Sequence, residues 1–274
     1  MVLGERTLVM GVLNVTPDSF SDGGRLSTAD AAIAQGISLF EAGADWLDVG
    51  GESTRPGAAK VESVEEIQRV GPVIEGLRKR GAGPISVDTT KAAVARAALD
   101  AGADLVNDIS ALRFDPDLGP LVAARGVPAV LMHLRGDFGT MHQAPRYRDV
   151  MGEVVAELRE ALARAEAAGV PRERTILDPG IGFAKDAGHS LTALQRLGEL
   201  EALERPVLVG PSRKSFIGKV LDLPVERRLM GTAAAVAACV LLGAHAVRVH
   251  DVREMVEVVR VADAIRSGVA GRAA

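Results

Sequence analysis

Cysteine is all but missing. Cys239 is the one such residue in 274, so no disulfide can close within the chain. Its setting, "GTAAAVAACVLLG", is that of a small core residue and not of an activated thiol. A reducing compartment is implied, and the cytoplasm is the expected one. Aromatic side chains are scarce at 3% while Gly and Ala are abundant, a balance that suits tightly packed α/β layers and excludes a disulfide scaffold or a disordered chain. Excess positive charge is lacking too. At a formal net charge of −4 there is no general attraction to nucleic acid or to an anionic membrane, so any basic function must be local. No run of about 18 or more apolar residues occurs, and no charged-then-apolar leader, so neither a membrane span nor export is expected.

What the chain does have is a weak internal repeat. "EAGADWLDVGG", "DAGADLVNDIS" and "LLGAHAVRVHD" each run from a helix end through Gly and Ala into a short apolar strand, and "AARGVPAVLMH" and "AAGVPRERTILDPG" are looser versions. The Gly suits the left-handed position that ends a helix, and the Val- and Leu-rich run suits a strand buried on both faces. Strands are predicted at 8–14, 45–49, 85–88, 104–107, 129–132, 175–177, 207–209 and 246–249. Helical stretches between them include 29–41, 64–80, 91–101, 150–168, 188–203, 226–242 and 252–267. Eight strands alternating with helices predict one α/β domain, 1–274, folded as a (β/α)8 TIM barrel. An open doubly wound sheet is the alternative; it would want a Gly-rich phosphate turn after its first strand, and none is present.

In such a barrel the residues just after the strands converge on one rim. In this chain they are polar at every strand: Asn14 and the segment behind it, Asp48 and "GGESTRPG", Asp88 and Thr89, Asn107 and Asp108, His133, Asp178, "GPSRKSF", and "RVHD". Any one of them alone reads more readily as a loop or helix cap than as a ligand contact; eight at one end do not. Arg55, Arg213, Lys214, Arg248 and His250 supply cationic donors, with Asn14, Thr16, Thr54 and Ser212 as neutral partners, a set suited to a phosphorylated or diphosphorylated ligand. Asp88, Asn107 and Asp178 differ. Set among Ile181 and Phe183, these acceptors can take paired N–H bonds from a flat heterocycle, or else form structural ion pairs with a neighbouring Arg.

The segments "GVLNVTPDSFSDGG", "GADWLDVGGESTRPG", "ISVDTTKA", "LVNDIS", "ILDPGIGFAK", "VGPSRKSFIG" and "VRVHDV" resemble, in order and over nearly the whole chain, dihydropteroate synthases of folate biosynthesis, members of the pterin-binding enzymes. The resemblance implies a (β/α)8 barrel that joins 6-hydroxymethyl-7,8-dihydropterin diphosphate to 4-aminobenzoate. It implies that Asp88, Asn107, Asp178 and Lys214 hold the pterin, with Phe183 lining its pocket. Thr54, Arg55, Arg248, His250 and Asn14 would hold the diphosphate, Asn14 also touching Mg2+. Phe20, Pro56, Lys214 and Ser212 would border the aminobenzoate. A homodimer through the last helices is implied as well. "MHLRGDFGTMHQAP" departs from the family's usual pattern at Asp137, Phe138 and His142.

The residues support a mechanism in which diphosphate leaves first, because the pterin ring delocalises the charge left on its methylene. Mg2+ with Arg55, Arg248 and His250 would take up charge on the leaving group, and Asp88 would offset the cation. The arylamine is neutral at pH 7 and needs no general base. Rival classes fit less well. A Schiff-base aldolase wants a Lys within a strand, a metallohydrolase wants an early His pair, and a methyltetrahydrofolate methyltransferase has no use for "STRPG" and "SRK". A non-enzymatic pterin carrier would have no need of "NVTPDSFSDGG".

Overall fold

The computed structural model describes residues 3–16, 28–54, 60–137, 139–140 and 146–269. Among them, eight parallel strands alternate with helices: β1 (Leu8–Asn14), β2 (Trp46–Gly50), β3 (Ile85–Asp88), β4 (Leu105–Asp108), β5 (Ala129–Met132), β6 (Thr175–Asp178), β7 (Leu208–Val209) and β8 (Ala246–Val249). They pair in chain order, β8 returns to β1, and a parallel bridge between Leu177 and Val207 joins β6 to β7. The expected (β/α)8 barrel is therefore the fold. The helices are α1 (Thr28–Glu41), α2 (Ser63–Lys79), α3 (Ala92–Asp100), α4 (Leu118–Arg125), α5 (Val150–Ala167), α6 (Ala187–Gln195), α7 (Ser215–Leu221), α8 (Leu229–Leu241) and α9 (Val252–Ser267). None of the described helices is long and apolar enough to cross a membrane.

Three helical details differ from the sequence reading. The stretch 188–203 is two elements, since Arg196 leaves helical geometry and a 3-10 turn (Leu197–Leu203) follows. The stretch 226–242 begins as a 3-10 turn (Val225–Arg227) before α8. The short α4 and α7, of eight and seven residues, give too little periodicity to be seen in sequence.

The Gly-Ala repeat has a double structural cause. Gly43, Gly102, Gly126, Gly169 and Gly243 all take positive φ, which lets a helix end and the chain turn directly into the next strand. In the three tightest copies the residue after Gly-Ala then clips the neighbouring strand. Asp45 receives the Val9 N–H at 2.8 Å, Asp104 receives that of Ile85 at 2.8 Å, and His245 Nδ1 receives that of Val207 at 3.1 Å. Each also donates its own N–H to the carbonyl of the same partner. Ahead of β3, β5 and β7 the lead-in residue is instead a proline, and the carbonyls of Pro84, Pro128 and Pro206 accept from Leu47, Val106 and Leu177.

Strand alternation separates two apolar layers. Outward residues such as Val9, Leu13, Leu47, Val49, Val87, Leu131 and Val247 pack in the main core cluster together with helix residues such as Ile74, Leu77 and Leu158. Inward residues Leu8, Met10, Trp46, Leu105, Val130, Ile176, Leu208 and Ala246 form a separate cluster, the floor of the barrel. Trp46 is fully buried there, and its indole N–H finds no acceptor. Replacing Trp46 by Ala should cost about 3–5 kcal/mol through the cavity left behind, whereas Trp46→Phe, which also removes the unpaired donor, should cost under about 1.5 kcal/mol. Urea denaturation followed by circular dichroism measures both; equal losses would show that the indole volume is not what fills the floor.

Candidate active site at the barrel mouth

Side chains repeat their direction every second residue along a strand, so the inward layer above the floor is found by adding two. From Trp46, Leu105, Val130, Ile176 and Ala246 this gives Asp48, Asn107, Met132, Asp178 and Arg248, and β3 adds Ser86 and, at its last residue, Asp88. The floor is wholly apolar and the layer above it is mostly polar. That step is where the candidate site begins.

Asp48 organises this layer. Its side chain has no exposure and accepts from Ser86 Oγ at 2.5 Å, Asn107 Nδ2 at 2.9 Å and Arg248 Nε at 2.6 Å. Three donors on one buried carboxylate are what keeps such a group tolerable. The bonds also set directions. With Nδ2 committed to Asp48, Asn107 has its amide oxygen left to offer a ligand. Arg248, with Nε on Asp48, places Nη2 2.9 Å from Asp88 Oδ2. Asp88 nevertheless holds its proton unusually tightly: burial, then the nearby Asp48 charge, push its pKa up to about 7, against the lowering effect of Arg248.

The β6 side of the mouth is built differently. Asp178 Oδ1 accepts the Gly180 N–H at 2.7 Å, and burial raises the Asp178 pKa while that bond and the cations of Lys214, Lys185 and Arg248 act against the rise. Beside it an apolar wall gathers Ile109, Met132, Leu134 and Ala184, with Phe114 and Phe183 packed on it. The Lys214 ammonium lies 3.9 Å from the centroid of the Phe183 ring, a cation–π contact. Burial and Arg248 bring the Lys214 pKa down to about 8, with Asp178 and Asp88 opposing, so it remains a cation at pH 7.

Ser212 and His250 form a small unit at the β7–β8 edge. The Ser212 oxygen accepts the His250 backbone N–H at 3.2 Å and lies 3.0 Å from His250 Nδ1. Assigning the Ser212 hydroxyl proton to the Nδ1 contact leaves the ring proton on Nε2. Burial, and then Arg248 and Arg213, hold the His250 pKa down at about 4. His250 is therefore a neutral donor, where the sequence reading counted it among the cations. Arg213 spends Nε and Nη2 on Asp251, and Asp108 is occupied within its own loop by Ser110 and Leu112.

Of the residues expected from sequence, Asp88, Asn107, Asp178, Phe183, Ser212, Lys214, Arg248 and His250 meet at this mouth. Asn14 ends β1, half-buried, and Thr54 stands at the described end of the segment after β2. Phe20, Arg55 and Pro56 lie outside the described residues. Asp48 was named with the rim but not among the ligand-binding residues, and its place two residues after Trp46 is the signal for its central position.

Comparison with known proteins gives the family. Residues 10–250 match the family described as pterin binding enzyme. A dihydropteroate synthase of Synechocystis is 49% identical over 263 residues, covering 96% of this chain and 91% of the relative. That of Escherichia coli K12 is 47% identical, covering 94% and 92%. A solved dihydropteroate synthase of Xanthomonas albilineans with 4-aminobenzoic acid superposes with a TM-score of 0.91 at 47% identity, covering 96% and 94% of the two chains. The same organism's enzyme in complex with 7,8-dihydropteroate gives 0.87 at 44% identity, covering 96% and 95%.

The raised pKa of Asp88 makes a testable link to stability. A carboxyl whose folded pKa exceeds its unfolded value of 3.8 contributes stability that is complete below pH 4 and is lost as pH rises through about 7. Asp88→Asn has no such loss. Relative to the parent it should gain on the order of 3 kcal/mol between pH 4 and pH 8, measured by urea denaturation across that range. A difference independent of pH would mean that Asp88 ionises normally.

Proposed function

The chain belongs to the pterin-binding enzymes, among the dihydropteroate synthases, and we propose that the residues converging at the barrel mouth carry out their reaction. The enzyme, a transferase of folate synthesis, joins 6-hydroxymethyl-7,8-dihydropterin diphosphate to 4-aminobenzoate, giving 7,8-dihydropteroate and diphosphate. One observation carries the assignment of roles: the mouth holds two kinds of group, the acceptors Asp88, Asn107 and Asp178 with an apolar wall whose Phe183 ring carries the Lys214 ammonium, and the donors Arg248 and His250. That division matches a ligand that is a flat heterocycle at one end and an anion at the other.

In this reading the pterin lies against Phe183 and Met132, with its N–H edge donating to Asp178 and Asn107. The C–O bond to diphosphate breaks first, and the ring delocalises the positive charge left on the methylene, close to Asp88. Arg248 and the His250 Nε2–H stabilise the charge gathering on diphosphate, an electrostatic role held ready before the reaction, while Lys214, over the Phe183 ring, stays with the pterin. Thr54 and Arg55 join Arg248 and His250 by resemblance. The neutral arylamine, bordered by Ser212, Lys214, Phe20 and Pro56, then attacks and sheds its proton. Among the described residues no group of three or more His, Cys, Asp or Glu is placed to hold a metal. The hard amide oxygen of Asn14 suits Mg2+, whose remaining ligands would be substrate phosphates and water. When bound, the ion supplies charge neutralisation at the diphosphate.

The partner expected beyond small molecules is a second copy of the chain, in the cytoplasm. Supporting this, an apolar groove of about 420 Å3 runs between α8 and α9, lined by Ala233, Ala237, Leu241, Val258, Val261 and Ile265. Val261 and Ile265 are 61% and 65% exposed, an unusual placement for large aliphatic side chains. Sedimentation should show a dimer for the parent and a monomer for Ile265→Arg; a monomeric parent would remove this proposal.

Release of diphosphate from the pterin substrate, followed with and without 4-aminobenzoate, tests the reaction itself; no product under either condition would overturn it. Asp178→Asn exchanges one acceptor for a donor and should weaken binding of a pterin analogue by about 2–4 kcal/mol. Unchanged affinity in calorimetry would take Asp178 out of the site.

A further inference from the structure

The segment "ILDPGIGFAK" ends in a lysine to which the reaction gives no part. Lys185 is buried. Its ammonium lies 2.8 Å from His133 Nδ1 and 3.3 Å from each of the carbonyls of Gly180 and Phe183, three acceptors for three protons. His133 Nε2 is 3.0 Å from Glu157 Oε2, and Arg135 Nε holds the other oxygen of Glu157 at 2.8 Å. Because Glu157 can only accept, Nε2 carries the ring proton and Nδ1 is free to accept from Lys185. The bonds therefore run in one direction, from Lys185 through His133 to Glu157.

This chain of bonds spans two loops. The turn between Asp178 and Lys185 has one backbone bond of its own, from the Phe183 N–H to the Gly180 carbonyl at 3.0 Å; Gly180 has φ +67, a Cβ there would run into the His133 carbonyl oxygen, and Ala184 sits at φ 46. For Ala184 that conformation persists only when its surroundings fix it. Tyr147 helps, donating its hydroxyl to the Ala184 carbonyl at 2.8 Å. The charged groups facing Lys185 are Asp178, Glu157, Arg135 and Lys214, and burial draws its pKa down to about 7. An aliphatic residue would fill this space without the cost of a buried ammonium.

We propose that Lys185 is a positioning residue of the heterocycle pocket: by tying the Gly180 and Phe183 carbonyls to His133 it sets the Asp178 carboxylate and the Phe183 ring in place. This rests on the reading of the mouth as a pterin site. Asp178 is oriented by the Gly180 N–H, so displacement of Gly180 turns the carboxylate, while the anion-binding groups on β8 keep their own supports on Asp48 and Ser212.

Calorimetry with 6-hydroxymethylpterin and, separately, with inorganic diphosphate and Mg2+ separates the two halves of the site. Lys185→Met should weaken pterin binding at least about tenfold and leave diphosphate binding within about twofold. His133→Asn, whose amide oxygen takes the place of Nδ1, should stay within about threefold of the parent for pterin, whereas His133→Leu should lose about tenfold. If Lys185→Met does not fold, the His133 pair decides. Unchanged pterin affinity in Lys185→Met, equal losses for both ligands, or no difference between His133→Asn and His133→Leu would each overturn the proposal. A parent that binds diphosphate but no pterin would instead overturn the site reading, and this inference with it.

Discussion

Three donors converging on one carboxylate, Asp48, fix the direction of nearly every group on the β2–β4 and β8 side of the mouth. A buried carboxylate cannot relinquish its partners cheaply, because each unpaired charge inside the barrel costs several kcal/mol. Arg248 and Asn107 are thus not free to follow a ligand. They wait in place, which is the condition under which fixed charges lower a barrier without reorganising.

The same layer explains why the barrel is stable although its mouth is not built for stability. Asp88, Lys214 and His250 all have pKa values displaced by burial in the direction that disfavours their charged forms; for Asp88 and Lys214 the displacement is free energy withheld from folding at pH 7, and for His250 it is withheld only as pH falls below 6.5. The floor beneath them is apolar without exception among its clustered residues, and the helical layer outside is larger still. The buried charges of Asp48, Asp178 and Arg248 stand two residues above strand positions that carry none.

Much of this level was legible in the sequence, and the limits have physical causes. The strand positions follow from β-branched runs after Gly-Ala, and the two-residue period carries Trp46 to Asp48 and Ile176 to Asp178 without any coordinates. The period does not say which of two inward carboxylates, Asp48 or Asp88, is consumed by internal bonds and which is open to a ligand. That depends on Arg248, which is 200 residues from Asp48 in the chain. The His133–Lys185 contact, 52 residues apart, exists because β5 and β6 are neighbours, and no local pattern announces it. The neutrality of His250 is likewise a product of burial and of three surrounding cations. The short α4 was hidden by Gly119 and Pro120 in its first turn, where helix preference is weakest to read.

The lead-in residues of the strands carry one more consequence. Clips from Asp45, Asp104 and His245 bind β2 to β1, β4 to β3 and β8 to the start of β7. The prolines stand at the other joints, ahead of β3, β5 and β7. The two devices alternate, so the smallest repeating piece of this molecule is two strands with their two helices, and the barrel is a ring of four quarters. Within three quarters the joint has a side-chain bond in addition to the ladder. The quarter formed by β5 and β6 departs from the rhythm, with a 3-10 turn (Arg172–Arg174) leading into β6 in place of the clip. That irregular quarter is the one whose upper end holds His133, Asp178 and Lys185.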